Sequence, residues 1–340
     1  MMRNILVFSI LSLTCSSSFA GILDEGYSME TSRKYAAQLP FRPAVAYIDP
    51  KEGSGNEGAP TAVLISPNVL LSAAHCTRGP GQTVRFIDPN GKSQYQTSIK
   101  QVINHPEFEV QRKKWIDSRL EERRKEQEML TMVIQMAETL MVRGEELPAD
   151  LKKLYDSRDE HLKIHEKYTA MQQADEDGRI TPAIIPYDFQ LIQLNDTVPS
   201  EIAKPVKMST CPTLYHTTTI LTFGHVAQAQ KDKDAILVYR IGSQKDQYPS
   251  HAYDFLVDKT RFGYYQTTFD PKKFGYKGVS LGGDSGSPVF IDNALMGVVS
   301  AGTTPDGYSI GGYGSTGAVA PLNGRIETWI KDTIARMNYS

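Results

Sequence analysis

Cysteine is scarce in this chain: Cys15, Cys76 and Cys211 are the three in 340 residues. A leader that carried away Cys15 would leave two, enough for one bridge between Cys76 and Cys211. Sequence alone does not show that they meet. The fold must therefore rest on an apolar core and not on a disulfide framework. Neither sign of charge dominates. Lys and Arg number 37 against 39 Asp and Glu, a net charge of −2, which removes the electrostatic case for nucleic acid as the main partner. Long hydrophobic runs are missing too. Nothing approaches the roughly 20 apolar residues of a membrane-crossing helix, so no membrane span is expected.

The one sustained apolar run is short and lies at the start. Arg3 supplies a positive charge, residues 5–13 are apolar, and Ser18 and Ala20 put small residues where a signal peptidase reads. The pattern predicts an export signal over 1–20, cut after Ala20, and a secreted or periplasmic mature chain from Gly21. A rival reading treats Cys15 as a lipidated N-terminus. Thr14 is bulkier than the residue such a site favours.

Beyond the leader, three stretches differ in texture. Residues 21–108 and 179–322 hold short apolar runs broken by Gly and Pro, among them 44–48, 62–65, 69–71, 191–194, 220–223, 235–239, 289–291 and 295–299. This pattern predicts many short strands, hence an all-β sandwich or barrel. Ile326, Trp329, Ile330 and Ile334 at helical spacing predict a C-terminal helix over 325–337. The middle, 109–178, carries thirteen Lys or Arg and seventeen Asp or Glu in 70 residues, with no Gly before Gly144 and no Pro before Pro148. It predicts helices over 109–142 and 150–173, folded as an antiparallel hairpin. Leu130, Val133, Ile134 and Leu140 would face Leu151, Leu154, Leu162 and Met171. Glu121 with Lys125 and Asp159 with Lys163 are spaced for pairing one turn apart.

Two segments carry chemistry. One runs Leu71, Ser72, Ala73, Ala74, His75, Cys76; the other runs Gly283, Asp284, Ser285, Gly286, Ser287, Pro288. Hydrolysis of an amide needs a nucleophile, a base to take its proton, a group that orients the base, and donors for the oxyanion. Taken singly, the first could be a strand end with a surface histidine and the second a tight turn. Together they resemble the histidine and serine motifs of the trypsin/chymotrypsin family of serine proteases. The stretch Asp188, Phe189, Gln190, Leu191, Ile192, Gln193, Leu194 resembles the strand that holds the family's orienting acid. Residues 104–108, 298–302 and 329–334 resemble further family segments.

The resemblance implies two antiparallel six-stranded β-barrels, interrupted by the 109–178 hairpin and closed by the C-terminal helix, over a protease domain of 21–340. It implies a secreted serine endopeptidase that acts on protein or peptide through an acyl-enzyme, with no cofactor and no metal. His75 would be the base, Asp188 the orienting acid and Ser285 the nucleophile. The amides of Gly283 and Ser285 would form the oxyanion hole. Val279 would floor the primary pocket, with Ser300, Gly302 and Gly317 along its walls, giving a preference for apolar side chains before the scissile bond. Asp284 would receive the amine freed at the new N-terminus, near Gly21. The family's usual partner cysteine for Cys76 is replaced by Pro60, and Leu281 and Ser287 also depart from the pattern. The hairpin invites three readings: an exosite, a lid, or a solvated spacer. His161 and His165 stand one turn apart, but Leu162 occupies the place where a zinc-protease helix needs a glutamate. A different class remains open, a secreted binding or adhesion protein that uses the hairpin on a protease-like body.

Overall fold

Strands whose two faces are both apolar need two cores, and that requirement organises this molecule. The computed structural model describes residues 21–23, 26–50, 60–76, 78–176, 187–209, 217–224, 226–228, 251–256, 259–261, 264–268, 278–280, 283–303 and 316–339. The leader expected over 1–20, Cys211 and the strand expected at 235–239 lie outside the described residues.

The chain enters through β1 (Gly21–Leu23) and α1 (Met29–Gln38). It then builds β2 (Val45–Ile48), β3 (Thr61–Ser66), β4 (Val69–Ser72), β5 (Thr83–Ile87) and β6 (Ser93–Asn104). Three helices follow: α2 (Pro106–Val142), α3 (Ala149–Asp156) and α4 (Arg158–Glu176). Next come β7 (Gln190–Leu194), β8 (Thr217–Thr222), β9 (Val226–Gln228), β10 (His251–Leu256), β11 (Lys259–Arg261), β12 (Tyr264–Thr268) and β13 (Gly278–Ser280). β14 (Pro288–Ile291), β15 (Ala294–Thr303), β16 (Thr316–Pro321) and α5 (Gly324–Tyr339) complete the chain. Helix α1 was not among the expected elements. Its local signal is Ser28, whose hydroxyl caps the helix by accepting from the Thr31 amide at 3.1 Å.

Strands β2 to β7 close an antiparallel barrel in the order β2-β3-β4-β7-β6-β5. Successive side chains of a strand point to opposite faces. Ala62 and Leu64 of β3 fill the barrel with Leu70, Phe86 and Ile192. Val63 and Ile65 of the same strand face outward into a second core with Leu221, Phe290, Val298, Ile326 and Ile330. That second core joins the barrel to the sheet and to α5, and it explains why β3 reads as an unbroken apolar run. Phe41 stacks on Phe290 across this junction, ring centres 3.6 Å apart.

The second half meets the expectation in part. Where a second closed six-stranded barrel was expected, the described residues form a seven-stranded sheet, β10-β8-β14-β15-β16-β12-β11, and a small sheet, β13-β1-β9. Gly21–Leu23 runs antiparallel to β13 and parallel to β9, with Ile22 opposite Val279. These two strands thus pair with the N-terminal segment rather than with the larger sheet.

The hairpin is present with a different second arm. His105 caps α2 by accepting from the Glu107 amide at 3.2 Å, and Pro106 opens the helix. At 37 residues α2 is about 55 Å long. The expected single helix over 150–173 is two helices, broken at Ser157. Its hydroxyl donates to the carbonyls of Lys153 and Leu154, each at 3.0 Å, and ends α3. Of the expected seam Leu130 is buried, as is Ala137, whereas Leu154 and Leu162 are 42% and 57% exposed. Across the seam the Gln127 amide donates to His165 Nδ1 at 2.8 Å. Glu121 pairs with Lys125 at 3.3 Å as expected, and also with Arg124 at 2.6 Å. The Asp159 side chain lies outside what is described. Helix α5 spans the expected residues, with Ile326 and Ile330 buried.

Candidate active site

The pairing of β4 with β7 places two of the three expected residues. Ser72 lies opposite Gln190 in this antiparallel pair. The chain continues past Ser72 into a tight 3₁₀ turn, Ala74–Cys76, and it reaches Gln190 from Asp188. His75 and Asp188 therefore emerge at the same end of the pair. Asp188 Oδ2 stands 2.6 Å from His75 Nδ1, and Asp188 Oδ1 accepts from the His75 amide at 2.9 Å. The carboxylate is fully buried, a position that costs several kcal/mol unless its oxygens are paired. A third donor is the Ser300 hydroxyl, which bonds Oδ2. These contacts hold the imidazole with Nδ1 as the donor to the carboxylate, leaving Nε2 as the nitrogen with the lone pair.

Ser300 was expected as a pocket wall. Its hydroxyl donates to Asp188. It sits where the register of β15 with β16 slips between Val299 and Ala301, and this bulge re-aims the side chain. A serine inside an apolar strand was the only trace of this role in the sequence.

Ser285 lies in a turn, residues 283–287, shaped by two glycines with positive φ, 101° at Gly283 and 81° at Gly286. A side chain at Gly286 would collide with Ser72 Oγ, with the Thr61 carbonyl at 2.9 Å and with the Ala73 amide at 3.1 Å. The turn is thus pressed against the segment leading into His75. On its other flank the Gly286 amide donates to Val299 O of β15 at 2.8 Å, and the Ser287 amide donates to Asp284 O at 2.8 Å. Among the described residues the amides of Gly283 and Ser285 are committed to no acceptor. Asp284 is fully buried and Ser285 is nearly so.

Of the other expected positions, Gly302 and Gly317 are direct register partners in β15 and β16. Val279 lies in β13 beside the N-terminal strand. Cys76 is a free thiol, pushed up to about 12 by burial. Two neighbours escaped the sequence reading. Thr61 bonds the turn's surroundings twice: its carbonyl accepts from Ser72 Oγ at 3.0 Å, and its hydroxyl accepts from the Phe223 amide at 3.0 Å. The other is Arg78, three residues beyond His75. Among the described residues there is no cluster of His, Cys, Asp and Glu fit to hold a metal, and no helix is long and apolar enough to cross a membrane.

No protein-family model matches this chain, and no curated protein matches it in sequence. Among solved structures it is similar to neuropsin, described as a serine protease expressed in the limbic system of mouse brain. The two are 16% identical, with a TM-score of 0.49 over 88% of this chain and 97% of that one.

Proposed function

We propose that this chain is a serine endopeptidase. The observation that carries the reading is the His75–Asp188 pair at 2.6 Å, with a buried carboxylate held by three donors, next to a glycine-shaped turn that presents Ser285. Ser285 Oγ attacks the scissile carbonyl while His75 Nε2 takes its proton. The His75 imidazolium then gives that proton to the leaving amine. Asp188 keeps the ring in the productive tautomer and stabilises its charged form. Water repeats the sequence on the acyl-enzyme, and Ser285 is restored. The uncommitted amides of Gly283 and Ser285 receive the oxyanion.

On this reading Val279, Gly302 and Gly317 accept an apolar side chain before the scissile bond, since none of them offers a counter-charge. The mature chain starts at Gly21 after export, and its amine folds in toward Asp284. The support is the pairing of Gly21 with Ser280, four residues before Asp284. A fluorophosphonate probe tests the nucleophile. Labelling of the native protein, absent in Ser285→Ala, is the expected result. No labelling of the native protein would overturn the peptidase reading.

One observation favours a second reading, a binding protein that works through the hairpin. Met129, Met132 and Met136 lie exposed along one face of α2, and flexible methionine faces suit adaptable contacts. Replacing the hairpin by a short loop separates the two. A peptidase keeps its cleavage of small peptides, and a binder loses its partner.

A further inference from the structure

Asp188 is aimed by a very short piece of chain. The Phe189 amide donates to the Tyr187 carbonyl at 2.8 Å, which closes a three-residue turn with Asp188 at its apex. Both ends of this turn meet one residue, His105. The His105 amide donates to the Phe189 carbonyl at 2.9 Å. The His105 ring lies on the Tyr187 ring, centres 5.3 Å apart and planes inclined by 20°. Behind it stands Trp329 of α5, edge-on at 4.7 Å, and α5 is anchored in the shared core through Ile326 and Ile330. The buried imidazole is thus a wedge between an anchored helix and the turn that carries the proposed orienting acid. The amide bond is backbone, and any residue except proline makes it. The wedge belongs to the ring, and the proposed chemistry gives that ring no part.

We infer that His105 is a positioning residue: its ring, backed by Trp329, holds the Tyr187–Phe189 turn so that the Asp188 carboxylate meets His75 Nδ1. A three-residue turn has one internal bond, so its tilt is set by what packs on it. A small tilt is enough to spoil the 2.6 Å contact with His75. The same ring caps α2, with Nδ1 accepting from the Glu107 amide at 3.2 Å. A proton added at Nδ1 would set N–H against N–H, so the seated ring is the neutral one. Few charged or titratable groups face it. Glu107, at the start of α2, is the charged side chain that acts on it, and Tyr187 presents a phenol. On α5, Arg325 and Asp332 lie one turn either side of Trp329 and are exposed. Glu109 is engaged by Asn104 and Arg112. Burial outweighs Glu107 and pushes His105 below 6.5. The ring is therefore neutral and seated at pH 7 and above, and it is released as pH falls through the lowered value. For its effect on turnover the inference rests on the peptidase reading.

Two substitutions pull capping and wedging apart. His105→Asn keeps a side-chain acceptor for the helix and loses the ring. His105→Phe keeps an aromatic ring and loses the acceptor. The readouts are turnover of a small peptide amide at pH 8 and the downfield proton resonance of the bond between His75 Nδ1 and Asp188, with circular dichroism to check the fold. On the inference, His105→Asn lowers kcat about tenfold, leaves KM nearly unchanged and shifts or broadens the resonance, while His105→Phe keeps most of both. A residue that only caps α2 gives the opposite ranking. Tyr187→Leu leaves the cap intact and should match His105→Asn. The double variant should be no worse than either, since each removes the same contact. Between pH 7 and 5 the native kcat should fall more steeply than that of His105→Phe, which has no proton to take there. Retention of kcat and resonance in His105→Asn, or losses that multiply in the double variant, overturns the inference and leaves the peptidase reading intact. No turnover in the native protein, with the resonance still lost in His105→Asn, sinks the peptidase reading and leaves the wedge standing.

Discussion

Asp188 is a buried charge that the structure must satisfy, and on the proposed mechanism it also orients the base. Its charge is tolerable in the interior because the His75 amide, the His75 ring and Ser300 all donate to it. Asp188→Asn keeps the shape but offers an N–H toward a ring that needs an acceptor there, so the imidazole is held in the wrong tautomer. On the proposed mechanism, peptide turnover should fall by about 10⁴-fold with the fold retained, checked by kcat and by circular dichroism. Gly286 is constrained twice, by φ of 81° and by the Thr61 carbonyl 2.9 Å from where a Cβ would stand. Gly286→Ala is expected to destabilise the protein by more than about 1 kcal/mol, read from chemical denaturation, and to abolish probe labelling by displacing the turn. Cys76, with its thiol raised to about 12 by burial, stays protonated at pH 8. An alkylating agent should leave it unmodified in the folded protein and modify it after unfolding, as followed by peptide mass.

At the scale of the element, the hairpin is fastened through His105. Its Nδ1 accepts from the Glu107 amide, so the cap needs the neutral ring. The ring packs between Tyr187 and Trp329 of α5. Burial pushes His105 below the ordinary value of 6.5, and Glu107 offsets this in part. The unfolded chain therefore binds this proton more readily than the native one. The associated stability is present above about pH 6.5 and declines as pH falls toward the lowered native value. The melting temperature should drop between pH 7 and 5 more steeply in the native protein than in His105→Asn, which retains a capping acceptor but does not titrate. The salt bridges along α2, such as Arg119 with Glu122, are exposed and contribute little to stability. Their role is to keep a helix of this length soluble.

For the whole molecule, the first described segment is tied to the second half. Gly21–Leu23 enters a sheet with β13 and β9, near the turn that holds Asp284. On the proposed activation, a chain starting at Gly21 should react with a fluorophosphonate about a hundredfold faster than one retaining residues 1–20, the scale of losing an oxyanion donor. The barrel and the sheet share a core through Val63, Leu221 and Phe290, so cutting the chain between its halves would expose apolar faces on both.

The sequence by itself determined what depends on neighbours in the chain. Strand segments such as 62–65 and 191–194, the C-terminal helix and the helical character of the insertion follow from local periodicity. The residues proposed to carry chemistry, His75, Asp188 and Ser285, stood out because they sit in short patterned segments. Features that depend on distant partners were decided only by the tertiary structure. The second arm is broken at Ser157, because a side-chain bond to the backbone competes with the helix and no apolar count records that competition. The bulge after Val299 gave the Ser300 hydroxyl to Asp188, 112 residues away in sequence. The pairing of β13 and β9 with the N-terminal strand, far off in sequence, was also beyond local reading. Backbone pairing between remote segments is selected by what each edge finds in space, and short strands leave little of that choice in their own residues.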